Sequence, residues 1–154
     1  MLDNLAEEFS NPFGGLPTEV AILRLVAAMT LGGLIGFERE RRGKPAGLRT
    51  HMLIALAACL FTLIALRMID AASTGDVTLR IDPLRLIEAV TAGVAFLAAG
   101  AIITNRGGVR GLTTGAGMWL AGAIGLACGT GALPLAGLAT LVALIVLEVV
   151  RLLE

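Results

Sequence analysis

Apolar residues in this chain gather into five runs, at about 19–37, 51–70, 86–104, 113–130 and 133–152, separated by polar stretches. Each run is close to the roughly 20 residues that an α-helix needs to cross the hydrocarbon of a bilayer. The pattern predicts an all-α integral membrane protein with about five transmembrane helices. They form one domain over 19–154, preceded by an N-terminal segment, 1–18. Five crossings put the termini on opposite sides.

The connectors differ in charge. The first, between Phe37 and His51, carries Arg39, Arg41, Arg42, Lys44 and Arg49, five of the chain's 12 basic residues. Basic loops are retained in the cytoplasm. Placing this loop inside also places Arg106, Arg110 and Arg151 inside, and leaves Arg24, Arg67, Arg80 and Arg85 at or beyond the outer ends. The expected orientation is N-terminus outside and C-terminus cytoplasmic. Met1 to Pro17 holds Asp3, Glu7 and Glu8 but no Lys or Arg, so it lacks the basic start of a signal peptide and the first span is expected to be retained.

Composition sharpens the class. Of 154 residues, 56% are hydrophobic and 16% charged, with mean hydropathy +0.88, far from the soluble norm. Formal net charge is zero, which gives no basis for binding nucleic acid. The lipid bilayer is the first partner. Cys59 and Cys128 lie in separate apolar runs at depths differing by roughly 10 Å when each is counted from its inner helix end, so they read as small buried hydrophobes rather than a disulfide.

Small residues recur at fourfold spacing. Thr113, Gly117, Ala121, Gly125 and Gly129 lay a strip along the fourth helix, and Ala28, Gly32 and Gly36 lay one along the first. Such strips let helix backbones approach closely, within a chain or between copies in a homo-oligomer. The halves also echo each other weakly. Gly47-Leu48-Arg49-Thr50 opens the second helix and Gly111-Leu112-Thr113-Thr114 the fourth, which suggests a parallel repeat.

Candidate chemistry is sparse. There is no nucleophile paired with a base, no metal-ligand spacing and no phosphate loop, so no enzyme, cofactor or metal site is expected. Helix centres are free of charge. Thr30, Thr62, Thr91 and Thr140 could line an ion path. Trp119 reads as a packing residue and His51 as interfacial or capping. At the inner ends, Thr50 and Thr113 or Thr114 are natural N-caps beside Arg49 and Arg110, at positive dipole ends that attract anions. Arg49, Thr50, His51, Arg110, Thr113 and Thr114 therefore form a candidate surface for an anion or a membrane-protein partner.

Several motifs, in order, resemble the membrane domain of the MgtC/SapB family. They are Gly32-Gly33-Leu34-Ile35-Gly36-Phe37-Glu38-Arg39-Glu40, Ala46-Gly47-Leu48-Arg49-Thr50-His51, Asp82-Pro83-Leu84-Arg85, Phe96-Leu97-Ala98-Ala99-Gly100-Ala101-Ile102, and Val109-Arg110-Gly111-Leu112-Thr113-Thr114 with Trp119. Glu38, Arg39, Gly47, Leu48, Gly100, Gly111 and Trp119 carry the likeness. It implies a multi-pass protein of the bacterial inner membrane concerned with magnesium homeostasis, growth at low magnesium and, in some pathogens, survival inside host cells. Two activities are implied for the family: magnesium or other ion transport, and non-enzymatic regulation of other membrane machinery, ATP synthase among it. The charge-free helix centres favour the regulator. Two differences stand out: this sequence ends after its fifth helix where virulence-type members continue into a soluble domain, and it has Ala95 and Ala98 where glycine is frequent.

Overall fold

The computed structural model describes residues 13, 15–73, 82–105 and 108–153. It contains α1 (Thr18–Arg41), α2 (Leu48–Ser73), α3 (Pro83–Ala101), a hairpin of β1 (Ile103–Asn105) and β2 (Gly108–Arg110), α4 (Leu112–Thr130) and α5 (Leu133–Leu153). The N-terminal residues 1–12, and Arg80 and Arg106, lie outside the described residues.

Helices α1, α2, α3 and α4 are each long and apolar enough to cross a membrane, and α5 is apolar over Leu133–Val149. The chain is an all-α, multi-pass membrane protein. Successive helices alternate in direction, so one end of the bundle holds the α1–α2 loop, the hairpin and the last turns of α5. We call it the basic end.

Helix α2 packs along both α1 and α4, and α1 also meets α4, making a three-helix centre. Helix α5 leans on α1 and α4, while α3 leans on α4 and barely touches α2. Lipid tails are as apolar as leucine, so close backbone packing must hold such a bundle together. A Cβ at Gly32 would lie 2.7 Å from Ala55 Cβ, and one at Gly36 would lie 2.8 Å from Gly47 O. On the other side of α2, a Cβ at Gly125 would overlap the Ala55 carbonyl oxygen, and one at Gly129 would lie 2.5 Å from Thr62 Cβ. Gly117 faces His51, and Ala121 is fully buried.

Local chemistry sets the boundaries. The Arg- and Glu-rich block continues α1 to Arg41 rather than forming a loop, because both residues are good helix formers and Arg39 and Arg41 complement the helix dipole. Only six residues, 42–47, then turn the chain, with Gly43 at φ +63°. Helix α2 begins at Leu48, whose N–H donates to Glu40 Oε2 at 2.8 Å. Asp82 caps α3 through Leu84 N, with Pro83 in the first turn. Helix α3 stops at Ala101, so the end of the third apolar run becomes strand, with Asn105 opposite Gly108. Gly111, at φ +88°, opens α4. Gly131, also at φ +88°, closes it, with Gly131 N and Ala132 N donating to the Cys128 and Ala127 carbonyls.

Three sequence expectations change. Thr50 and Thr113 cap nothing, since α2 and α4 start two and one residues before them; a glutamate on α1 and a left-handed glycine serve instead. Trp119 is not packed within the chain but 55% exposed. The expected depth difference between the cysteines also vanishes. Because a Cβ at Gly129 would sit 2.9 Å from Cys59 O, Cys128 lies at nearly the depth of Cys59; both are buried and free in one core cluster.

Candidate functional site

At the basic end the three central helices enclose charge. Glu38 is 6% exposed, Arg39 4% and His51 0%. Glu38 and Arg39 sit in the last turn of α1, and Arg39 follows Gly36 by three residues and Gly32 by seven, which extends the small-residue face of that helix toward α2. His51 comes from the first turn of α2. A Cβ at Gly36 would lie 2.9 Å from His51 Cβ, and one at Gly117 would lie 3.1 Å from His51 Nε2. Two glycines on two helices therefore make room for one imidazole.

The imidazole is held by its own helix. His51 Nδ1 is 2.9 Å from Gly47 O. A carbonyl only accepts, so Nδ1 carries the proton and the neutral ring turns the Nε2 lone pair toward Gly117. Among the described residues Nε2 has no hydrogen-bond partner, nor has Arg39 Nε. Glu38 meets Arg39 as an ion pair at 3.7 Å and also pairs with Arg42, four residues on. Arg42 Nη2 reaches Glu148 Oε2 on α5 at 2.7 Å. Pairing with Glu148, opposed by partial burial and helped by Glu38, raises the Arg42 pKa above its ordinary value. The chain of charges runs from the buried Glu38 to the exposed Glu148 and ties α1 to α5.

The candidate surface residues fall into two groups. Arg49, Arg110 and Thr113 are exposed and Thr50 is half-buried, all where α2 and α4 begin at the basic end. His51 and Thr114 are buried beneath them. Gly47 is tucked against Glu40, Leu48 is half-buried and Gly111 joins α3 to α4, whereas Gly100 faces open space. Sequence reasoning placed Glu38 and Arg39 in a loop and missed the burial of both; the available signals were the spacing of Arg39 from Gly36 and Gly32, three and seven residues, and that of Glu38 from the buried Ile35, three residues. Nothing in the sequence announced Glu148 as the partner of Arg42.

The model of the MgtC family matches residues 25–154. The chain belongs to the MgtC family. It is 41% identical over 129 residues to the "Putative magnesium transporter YhiD" of Escherichia coli K12, covering 83% of this chain and 59% of the relative. It is 40% identical to "Protein MgtC" of Brucella abortus, covering 75% of this chain and 45% of the relative. "Protein MgtC" of Salmonella typhimurium is also 40% identical, with 80% and 49% covered. The chain thus spans about half the length of the curated relatives it matches. No solved structure matches it.

Proposed function

We propose that this MgtC-family chain acts in magnesium homeostasis as a non-enzymatic regulator in the bacterial inner membrane, with its basic end in the cytoplasm and its N-terminus outside. The names of its relatives support the magnesium connection, and the eight-to-four division of basic residues between the two ends supports the orientation. The observation that carries regulation over transport is the backbone contact between α2 and α4 at Ala55 and Gly125. An ion needs a lined path, and at mid-membrane these helices leave no space between them. The threonines able to line one donate their hydroxyls to their own helices: Thr30 to Val26 O, Thr62 to Ala58 O, Thr91 to Ile87 O and Thr140 to Ala136 O, at 2.5–2.9 Å. Arg49, Arg110 and Thr113 then present a partner surface above the rigid Glu38–Arg39–His51 cluster.

A second reading, magnesium transport, draws on the printed name of the Escherichia coli relative. A path would then run between copies of the chain, along the open face of α3, where Gly93 and Gly100 have open space beside them. Reconstitution in liposomes enclosing a magnesium-sensitive dye separates the two. The regulator predicts no flux above empty liposomes. Flux that is lost on Gly93→Leu would establish transport between copies.

A further inference from the structure

Helix α3 is the span that the rest of the chain covers least. Its buried stripe is Val90, Val94 and Ala98, the last two facing Gly122 and Gly115 of α4. On the opposite side Arg85, Glu88, Ala92, Ala95 and Ala99 are all exposed. Their spacing alternates between three and four residues, a period of about 3.5 that keeps them on one seam of the helix.

Two features set this seam apart from a surface that simply meets lipid. The first is charge. Glu88 stands five residues past Pro83, about 7 Å into the span at about 1.5 Å per residue, where lipid is a poor environment for a carboxylate. Among the described residues neither Glu88 nor Arg85 has an ion-pair partner, and the two do not pair with each other although only three residues separate them. The second is size. Where α5 is exposed it shows Leu138, Leu141, Ile145 and Val149, side chains that lipid favours. The deep part of the α3 seam is alanine alone, which gains little from lipid but lets a second backbone come close.

We propose that this seam is the interface of a parallel homodimer, with Arg85 paired with the partner's Glu88 and with Ala92, Ala95 and Ala99 packed against the same residues of a second copy. All copies insert in one orientation, so their two-fold axis runs along the membrane normal and the two α3 helices lie side by side in the same direction. Each seam residue then meets its equivalent at its own depth. Arg85 and Glu88 differ in depth by only about 4.5 Å, within reach of two long side chains, and the two-fold axis forms the pair twice. The face is thus complementary to itself in charge, and a second copy supplies both partners at the required depth. Gly93 and Gly100 each follow a seam alanine by one residue, a turn of about 100°, so they flank the contact rather than form it.

The test is the dimer fraction of the full chain in phospholipid vesicles at falling protein density, read as photobleaching steps of a label at the C-terminus. Wild type should dimerise. Arg85→Glu and Glu88→Arg each set like charges across the axis and should each weaken the dimer at least about tenfold. Combining the two exchanges the signs and should return the dimer to within about threefold of wild type. Ala92→Leu should also weaken it at least about tenfold, with helix content unchanged, since close approach is lost. Ile145→Ala on α5 should change nothing. Should Glu88→Arg fail to reach the membrane, Arg85→Glu and Ala92→Leu decide alone. A chain that stays monomeric at every density would leave lipid on the seam and overturn the dimer. Dimers indifferent to Ala92→Leu and Arg85→Glu, or a double variant no better than the singles, would overturn this interface. Ala92→Cys that cross-links in cell membranes to another protein but never to itself would overturn the second copy as the occupant.

Discussion

Gly125 of α4 lies against the carbonyl oxygen of Ala55 in α2, so closely that a methyl group at 125 would overlap it. Ala55 is also the residue that Gly32 of α1 approaches, at 2.7 Å from an added Cβ to Ala55 Cβ. One alanine is therefore gripped from two sides by glycines of two different helices. In a bilayer this contact stands in for the hydrophobic effect that would hold the same helices together in water.

Gly125→Ala should lower stability by about 1–3 kcal/mol, the usual consequence of overpacking. Gly93→Ala, on the open face of α3, should leave stability unchanged or raise it by up to about 1 kcal/mol through helix propensity. Thermal unfolding in detergent compares them. Equal Tm values would mean that α2 and α4 can separate without loss.

Two left-handed glycines differ in what surrounds them. Gly43 has open space beside it, so Gly43→Asn should be tolerated to within about 1 kcal/mol. At Gly111 a Cβ would strike the Ala101 carbonyl oxygen. Gly111→Asn should therefore disturb the α3–α4 junction, read as faster trypsin cleavage in the hairpin and less protein in the membrane.

Glu38 and Glu148 both pair with Arg42, yet burial separates their effects. Glu148 has a side chain 53% exposed, and Glu148→Gln should cost at most about 1 kcal/mol. Glu38→Gln leaves Arg39 uncompensated inside the bundle, for which about 3–5 kcal/mol is expected. Urea or heat unfolding of the two variants in detergent checks the order, and a larger loss for Glu148→Gln would reverse the account of the cluster.

Much of this architecture is legible in hydropathy, because a bilayer demands long apolar helices and little else produces five such runs. Ends were harder. The charged block reads as a loop by polarity, but Glu38 and Arg39 remain helical and turn inward, since the face that carries Gly32 and Gly36 continues through Arg39 and the one that carries the buried Ile35 continues through Glu38. Cap geometry was misread for a related reason: Thr50 has the chemistry to cap α2, yet Glu40, eight residues before Leu48, reaches its N-terminus first through a tight turn. Long-range partners such as Arg24 with Gly129, or Arg42 with Glu148, depend on which helices become neighbours. Periodicity within one helix carries no record of that.

Orientation is open to a direct measurement. With the basic end inside, a reporter active only in the cytoplasm should work when inserted at 43–45 and fail at 74–80, because lysines and arginines flanking a span resist translocation. The reverse pattern would place Arg49 and Arg110 outside.

The surface formed by Arg49 and Arg110 should be separable from the buried cluster beneath it. Both arginines are exposed at the starts of helices that pack on each other, so Arg49→Lys and Arg110→Lys keep the charge that topology needs while removing the planar fork that grips a carboxylate or phosphate in two hydrogen bonds. These variants should retain wild-type Tm and membrane level but complement a low-magnesium growth defect poorly. Arg41→Lys, exposed on α1, should complement fully. His51→Ala works differently: it empties a site shaped by Gly36 and Gly117 and removes the bond to Gly47 O, so it should lower Tm by several degrees whatever its effect on growth. If the two arginine variants complement as well as Arg41→Lys, the basic residues serve topology alone and the partner surface must lie elsewhere.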